Sequence, residues 1–206
     1  MTKDKTTKDM ADSVNEREIV LDILLELNRP EAMSHLVIGA ALKKYQYLLK
    51  HQRSFITRLA QGTLERRIEL DYIINQYSKT PVRKMKPLIR SLLEMSVYQL
   101  KYMDVPEHAV CSEAVNLAAK KGFWSLKGFV NAVTRKMAVL IPTLDWSDQP
   151  SVYYSVPQWL YDKLLSWYPK EKVAAYLESV VSQSGHPMYV HCHTGRYSIE
   201  EIVSSL

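Results

Sequence analysis

Residues 87–122 read PLIRSLLEMSVYQLKYMDVPEHAVCSEAVNLAAKKG. Two helices stand here back to back. Pro87 falls in a first helical turn, where a missing N–H costs nothing. Leu88, Leu92, Met95 and Met103 follow on one helical arc. Pro106 repeats the start. Cys111 then shares an arc with Val110, Ala114, Val115 and Ala118, and Gly122 suits the residue just past a helix end. Nothing here alternates as a strand does, so the stretch predicts helix packed on helix.

The same pattern extends outward in both directions. NEREIVLDILLELN (15–28) places Ile19, Ile23, Leu24 and Leu27 at helical spacing, and Ser34 is the expected N-cap of a helix through residues 35–49. Residues 53–77 form a long amphipathic stretch interrupted by Gly62. A mid-helix glycine costs about 1 kcal/mol relative to alanine, so it predicts a close crossing or a break. In SLKGFVNAVTRKMAVL (125–140), Leu126, Phe129, Val130, Val133, Met137 and Leu140 make one apolar face. Asn131 projects from the other side with Lys127 and Arg135, facing a ligand or a packed neighbour such as Glu113 or the segment after residue 140.

These elements define an all-α helical bundle over residues 14–140, preceded by a disordered tail over 1–13. Three prolines in IPTLDWSDQPSVYYSVP (141–157) read as a linker over 141–156. Residues 157–206 follow as a small helical plus β-α fragment. It has two helices, a strand over PMYVHCH (187–193), and a last helix opened by a Ser198–Glu201 capping box. A chain ending inside a helix, after one strand, reads as the truncated start of a second domain.

Charge is divided unevenly. Residues 1–140 carry 23 Lys and Arg against 15 Asp and Glu, while residues 141–206 carry 4 against 7. The basic part favours an anionic partner. Its densest stretch is KTPVRKMKPLIR (79–90), with five cations and no acid. Arg83, Lys84 and Lys86 stand there at a helix N-terminus, where free N–H groups also attract anions, and Arg90 follows. The stretch reads as a phosphate contact or as a solvated loop. Lys120, Lys121, Lys127, Arg135 and Lys136 form a second candidate patch, and Arg17, Arg66 and Arg67 a third. Gln99 falls in the middle of an apolar arc and should be buried, bonding a neighbouring backbone, with ligand contact the other option.

Several classes are excluded. No glycine-rich phosphate loop is present among six glycines. His191 and His193 share a strand face but two ligands do not make a metal site, and Cys111 and Cys192 fit no metal spacing. There is no expected catalytic residue and no metal. No apolar run approaches a membrane span, and the cysteine usage fits the cytoplasm.

FITRLAQGTLERRIELDYII, the stretch LIRSLLEMSVYQLKYMDVPEHAVCSEAVNLAAKKG, and GFVNAVTRK, in that order, resemble the NusB-type RNA-binding domain over roughly residues 15–140. The combination is most similar to the version fused to Sun/Fmu-type ribosomal RNA 5-methylcytosine methyltransferases. YYSVPQWLYDKLLSWYP (153–169) resembles the segment that opens the methyltransferase part, and PMYVHCHTGRYSIEEIVSSL the strand-turn-helix after it, departing from the family's RVN at YVHCHTGRYS. The resemblance implies an RNA-binding portion that positions small-subunit ribosomal RNA for S-adenosylmethionine-dependent methylation by a further domain. That family's cofactor loop and two catalytic cysteines match nothing here, so no cofactor is expected in this chain and S-adenosylmethionine is expected in the full-length protein. The alternative is a transcription antitermination module binding RNA and a ribosomal protein.

Overall fold

The computed structural model describes residues 14–181, together with Ser198 and Glu201. Among the described residues there are ten α-helices and no strand. They are α1 (Glu16–Glu26), α2 (Ser34–Lys44), α3 (Lys50–Glu65), α4 (Arg67–Tyr77), α5 (Pro87–Tyr102), α6 (Glu107–Lys120), α7 (Lys127–Leu140), α8 (Pro150–Tyr153), α9 (Gln158–Trp167) and α10 (Lys170–Val181). The chain divides into two compact units, one ending at Tyr161 and one beginning at Asp162.

In the first unit α5 is the central helix. Ile89, Leu92, Leu93, Met95, Val97 and Tyr98 are all buried, so the helix is enclosed rather than one-sided. It packs against α1, α3, α4, α6 and α7, and α6 pairs with α7. Burying each large side chain is worth about 1.5–3 kcal/mol.

The helix ends follow local chemistry. Asn15 caps α1 by accepting from the Glu18 N–H at 3.0 Å. Pro87 opens α5. Gly122 adopts φ 88°, and the Phe123 N–H closes back on the Ala118 carbonyl at 2.8 Å, ending α6 as its sequence requires. Ser34 differs from its expected place: it is the first helical residue, and extended Met33 holds the cap position, its carbonyl accepting from Leu36 and Val37.

The interruption at Gly62 resolves into a crossing and a break a few residues apart. A Cβ on Gly62 would enter the Tyr98 ring, so glycine is what lets α3 approach α5. The break comes at Arg66, whose φ of −96° and ψ of 11° separate α3 from α4.

Segment 141–156 is held onto this body. Trp146 stacks 5.8 Å from Tyr72 and 6.0 Å from Tyr153, and the Lys101 ammonium lies 4.4 Å above its ring. Arg66 donates to the Tyr153 carbonyl at 3.3 Å. Pro142 lies just past the end of α7 and Pro150 opens α8, while the aromatics anchor the segment; composition reports only the prolines. In the second unit, Trp167, Tyr168 and Tyr176 are exposed. The Ser198–Glu201 capping box is formed in both directions, at 2.9 and 3.2 Å. The tail over 1–13, the strand over 187–193 and the His191–Cys192–His193 run lie outside the described residues.

Candidate nucleic-acid interface

The basic candidates separate by what they touch. Arg17 donates to Gln99 Oε1 at 2.6 Å and lies 5.1 Å over Phe55. Gln99 is buried and donates to the Met95 carbonyl at 3.0 Å, so its partners are its own helix and Arg17 rather than a neighbouring backbone. Arg66 is buried 3.7 Å from Glu69 and 5.0 Å over the Tyr102 ring. Arg67 and Arg90 flank the fully buried Glu94 at 3.2 and 2.8 Å, and Arg90 also grips Asp71. Lys120 pairs with Glu18 at 2.6 Å, and Lys121 with Asp22 at 2.7 Å and Glu18 at 3.3 Å. Partial burial works to raise the Glu18 carboxyl, and the bonds and charges of the two lysines outweigh it, holding the group below its usual range. Each of these six cations has a partner within the fold.

The remaining candidates face outward without an acidic partner among the described residues. Arg83 and Lys84 lie on a 3-10 turn, Val82–Lys84, and Lys86 caps α5; all three are exposed. Asn75 Oδ1 accepts the Val82 N–H at 2.9 Å and ties this turn to the end of α4. Lys136 lies 5.8 Å over Tyr77, the last residue of α4. Thus the far half of α7 meets α4 at the end where the Arg83 loop departs.

Lys127, Asn131 and Arg135 recur every four residues along α7 and line one wall of a groove of 420 Å³. His108, Ser112 and Asn116 recur at the same interval along α6 and line the other. Arg135 Nε donates to Asn131 Oδ1 at 3.1 Å, which leaves the Asn131 amide nitrogen to donate into the groove. Glu113 accepts from Asn15 at 2.8 Å, and Asn131 bonds Arg135 rather than Glu113. Cys111 and Val115 also line the groove. Burial, with Glu107 nearby, pushes the Cys111 thiol up, which keeps it neutral and a poor nucleophile.

His108, Ser112 and Asn116 were not among the sequence candidates. Their signal was a polar stripe at four-residue spacing opposite the buried Val110, Ala114 and Leu117. Trp124 was also missed. It is 68% exposed on the turn Trp124–Leu126, with the Lys127 ammonium 4.2 Å over its ring. A larger groove of 710 Å³ along α3 is lined by Lys50, Arg53 and Arg58, but both arginines donate to backbone carbonyls, of Leu42 and Tyr102.

Among the described residues no three His, Cys, Asp or Glu side chains gather as metal ligands, and no helix is long and apolar enough to cross a membrane.

The sequence profile of the NusB family matches residues 14–139. The probable ribosomal RNA small subunit methyltransferase B of Bacillus subtilis (strain 168) is 33% identical over 150 residues, covering 70% of this chain and 33% of the relative. Its counterpart in Synechocystis is 32% identical over 124 residues, covering 60% and 28%. The Proteus mirabilis enzyme of that name is 28% identical, covering 75% and 36%. The chain therefore spans about a third of the length of these relatives. Among solved structures, PH0851 superposes with a TM-score of 0.65 at 14% identity, covering 94% of this chain and 44% of that one. A chain in the crystal structure of a plectonemic RNA supercoil gives a TM-score of 0.56 at 17% identity, covering 64% of this chain and 100% of that one.

Proposed function

This chain belongs to the NusB family, and we propose that it is an RNA-binding module which holds small-subunit ribosomal RNA for methylation at cytosine by another domain. The names and lengths of the methyltransferase relatives support that setting. The observation that carries the RNA contact is the sorting of the cations. Arg83, Lys84, Lys86, Lys127, Arg135 and Lys136 make no ion pair among the described residues, whereas Arg66, Arg67, Arg90, Lys120 and Lys121 are ion-paired and Arg17 bonds Gln99.

The module's contribution is positional. Phosphate contacts fix the register of the RNA, and a held substrate reaches the reacting group at high effective concentration. S-adenosylmethionine would supply the methyl group in the full protein. No transfer step is assigned to the described residues, whose glycines (39, 62, 122 and 128) lie within helices or at a helix end. The setting is cytoplasmic.

Titration with a small-subunit ribosomal RNA hairpin tests this. Affinity should fall steeply with salt, each neutralised phosphate adding about 0.7–0.9 to the log–log slope. Charge reversal at Arg83, Lys84 and Lys86 together should weaken binding and lower that slope by about 2–3, with thermal stability unchanged. Absence of salt-sensitive binding would overturn the role, and unchanged affinity in the variant would remove that patch from the contact. Stable capture of a ribosomal protein, with methylation unaffected, would favour the antitermination-type alternative.

A further inference from the structure

An isolated exposed apolar side chain is ordinary. Trp124 is not isolated. It stands on the turn immediately before α7, 68% exposed, and the Lys127 ammonium sits over its ring at 4.2 Å. Lys127 also lines the α6–α7 groove, so the indole stands at the groove's edge and shares a cation with it. The first turn of α7 contains no acid, and the groove's lining residues include none. Gly128 lines the same groove, and a Cβ built there would meet no atom within 4 Å, so backbone is open to a ligand at the start of α7.

Each piece has a counterpart in a nucleotide. The ammonium of Lys127 and the guanidinium of Arg135 suit phosphate oxygens. Asn116 presents an amide donor and acceptor, and Asn131 an amide donor, the groups that a base edge pairs with. A flat indole beside a cationic groove is what stacks an unpaired base. A duplex keeps its bases stacked on one another and offers no free face. The chemistry therefore favours a single-stranded or bulged nucleotide over a helical segment.

We propose that Trp124 stacks an unpaired nucleobase whose neighbouring phosphates lie in the groove of Lys127, Asn131 and Arg135. This rests on the RNA-binding reading above and narrows it to unpaired RNA.

The test uses the whole chain with two probes, a twelve-nucleotide oligoadenylate and a blunt twelve-base-pair RNA duplex, over a range of salt. Trp124→Ala should weaken oligoadenylate binding roughly 5- to 150-fold, the range seen when one stacking aromatic is removed. Its salt slope should stay unchanged, since stacking releases no counterions. Duplex affinity should be unaffected, and Trp124→Phe should keep most of the single-strand affinity. Lys127→Ala and Arg135→Ala should each instead lower the slope by about 1. An unchanged oligoadenylate affinity in Trp124→Ala, with Lys127→Ala or Arg135→Ala still weakened, would overturn the stacking role, leave RNA binding standing, and assign the indole to a protein partner. Loss of salt-sensitive binding to both probes in the unaltered chain would overturn the RNA reading itself. The exposure of Trp124 keeps these variants folded, and a thermal melt of each checks it.

Discussion

Glu94 is a carboxylate buried within the bundle. It has no exposed surface, and Arg67 and Arg90 reach it from two helices. A buried charge is tolerated only when paired, and removing one partner strands the rest. Glu94→Ala should cost about 3–5 kcal/mol, toward the lower end because the two arginine side chains keep 24% and 32% of their surface in water. The checking measurement is a urea titration, in which the midpoint should fall with little change in slope. At this scale the sequence was partly legible. Gln99 could be placed inside an apolar arc by counting, and Asn131 on the polar side of its helix. Their partners could not, because Arg17 lies 82 residues from Gln99 and helical periodicity carries no information at that distance.

Between elements, contact depends on what lies at the crossing. α3 approaches α5 at Gly62, against the buried Tyr98 ring. Gly62→Ala should gain about 1 kcal/mol in helix propensity and lose more through overpacking, since a buried tyrosine ring cannot move aside cheaply. The expected net effect is a lower melting temperature by several degrees, about 2–4 °C per kcal/mol at this chain length. Gly39→Ala is the control: it has open space at its Cβ and should be neutral or stabilising. The sequence marked Gly62 as a crossing or a break. Only the packed pair showed that the crossing is at Gly62 and the break is at Arg66. The two facing polar stripes on α6 and α7 follow the same logic. Each is readable as a four-residue repeat, but that they face one another is a property of the pair.

Over the first unit as a whole, stability and recognition draw on the same pool of charge. Glu18 on α1 holds Lys120 and Lys121 at the end of α6, about a hundred residues away. Its lowered carboxyl means that this tie contributes above the unfolded carboxylate range and is lost as pH falls through the folded value. Glu18→Gln should therefore flatten the acid side of the stability profile below about pH 5, read from unfolding midpoints at successive pH values. An unchanged profile would show that the tie is screened by solvent. Sequence alone determined that the chain is helical, that its first part is basic, and some helix ends, such as those at Pro87 and Gly122, because capping, periodicity and composition are local; it missed that the helix expected through residue 49 ends at Lys44 and that Met33, not Ser34, holds its cap position. It also carried the family resemblance, through motifs in a fixed order. Tertiary structure decided which cations are left for a partner, since every pairing that removes one joins residues from different turns or different helices. It also decided that Trp124 stands beside a groove, because the groove has one wall on α6 and one on α7.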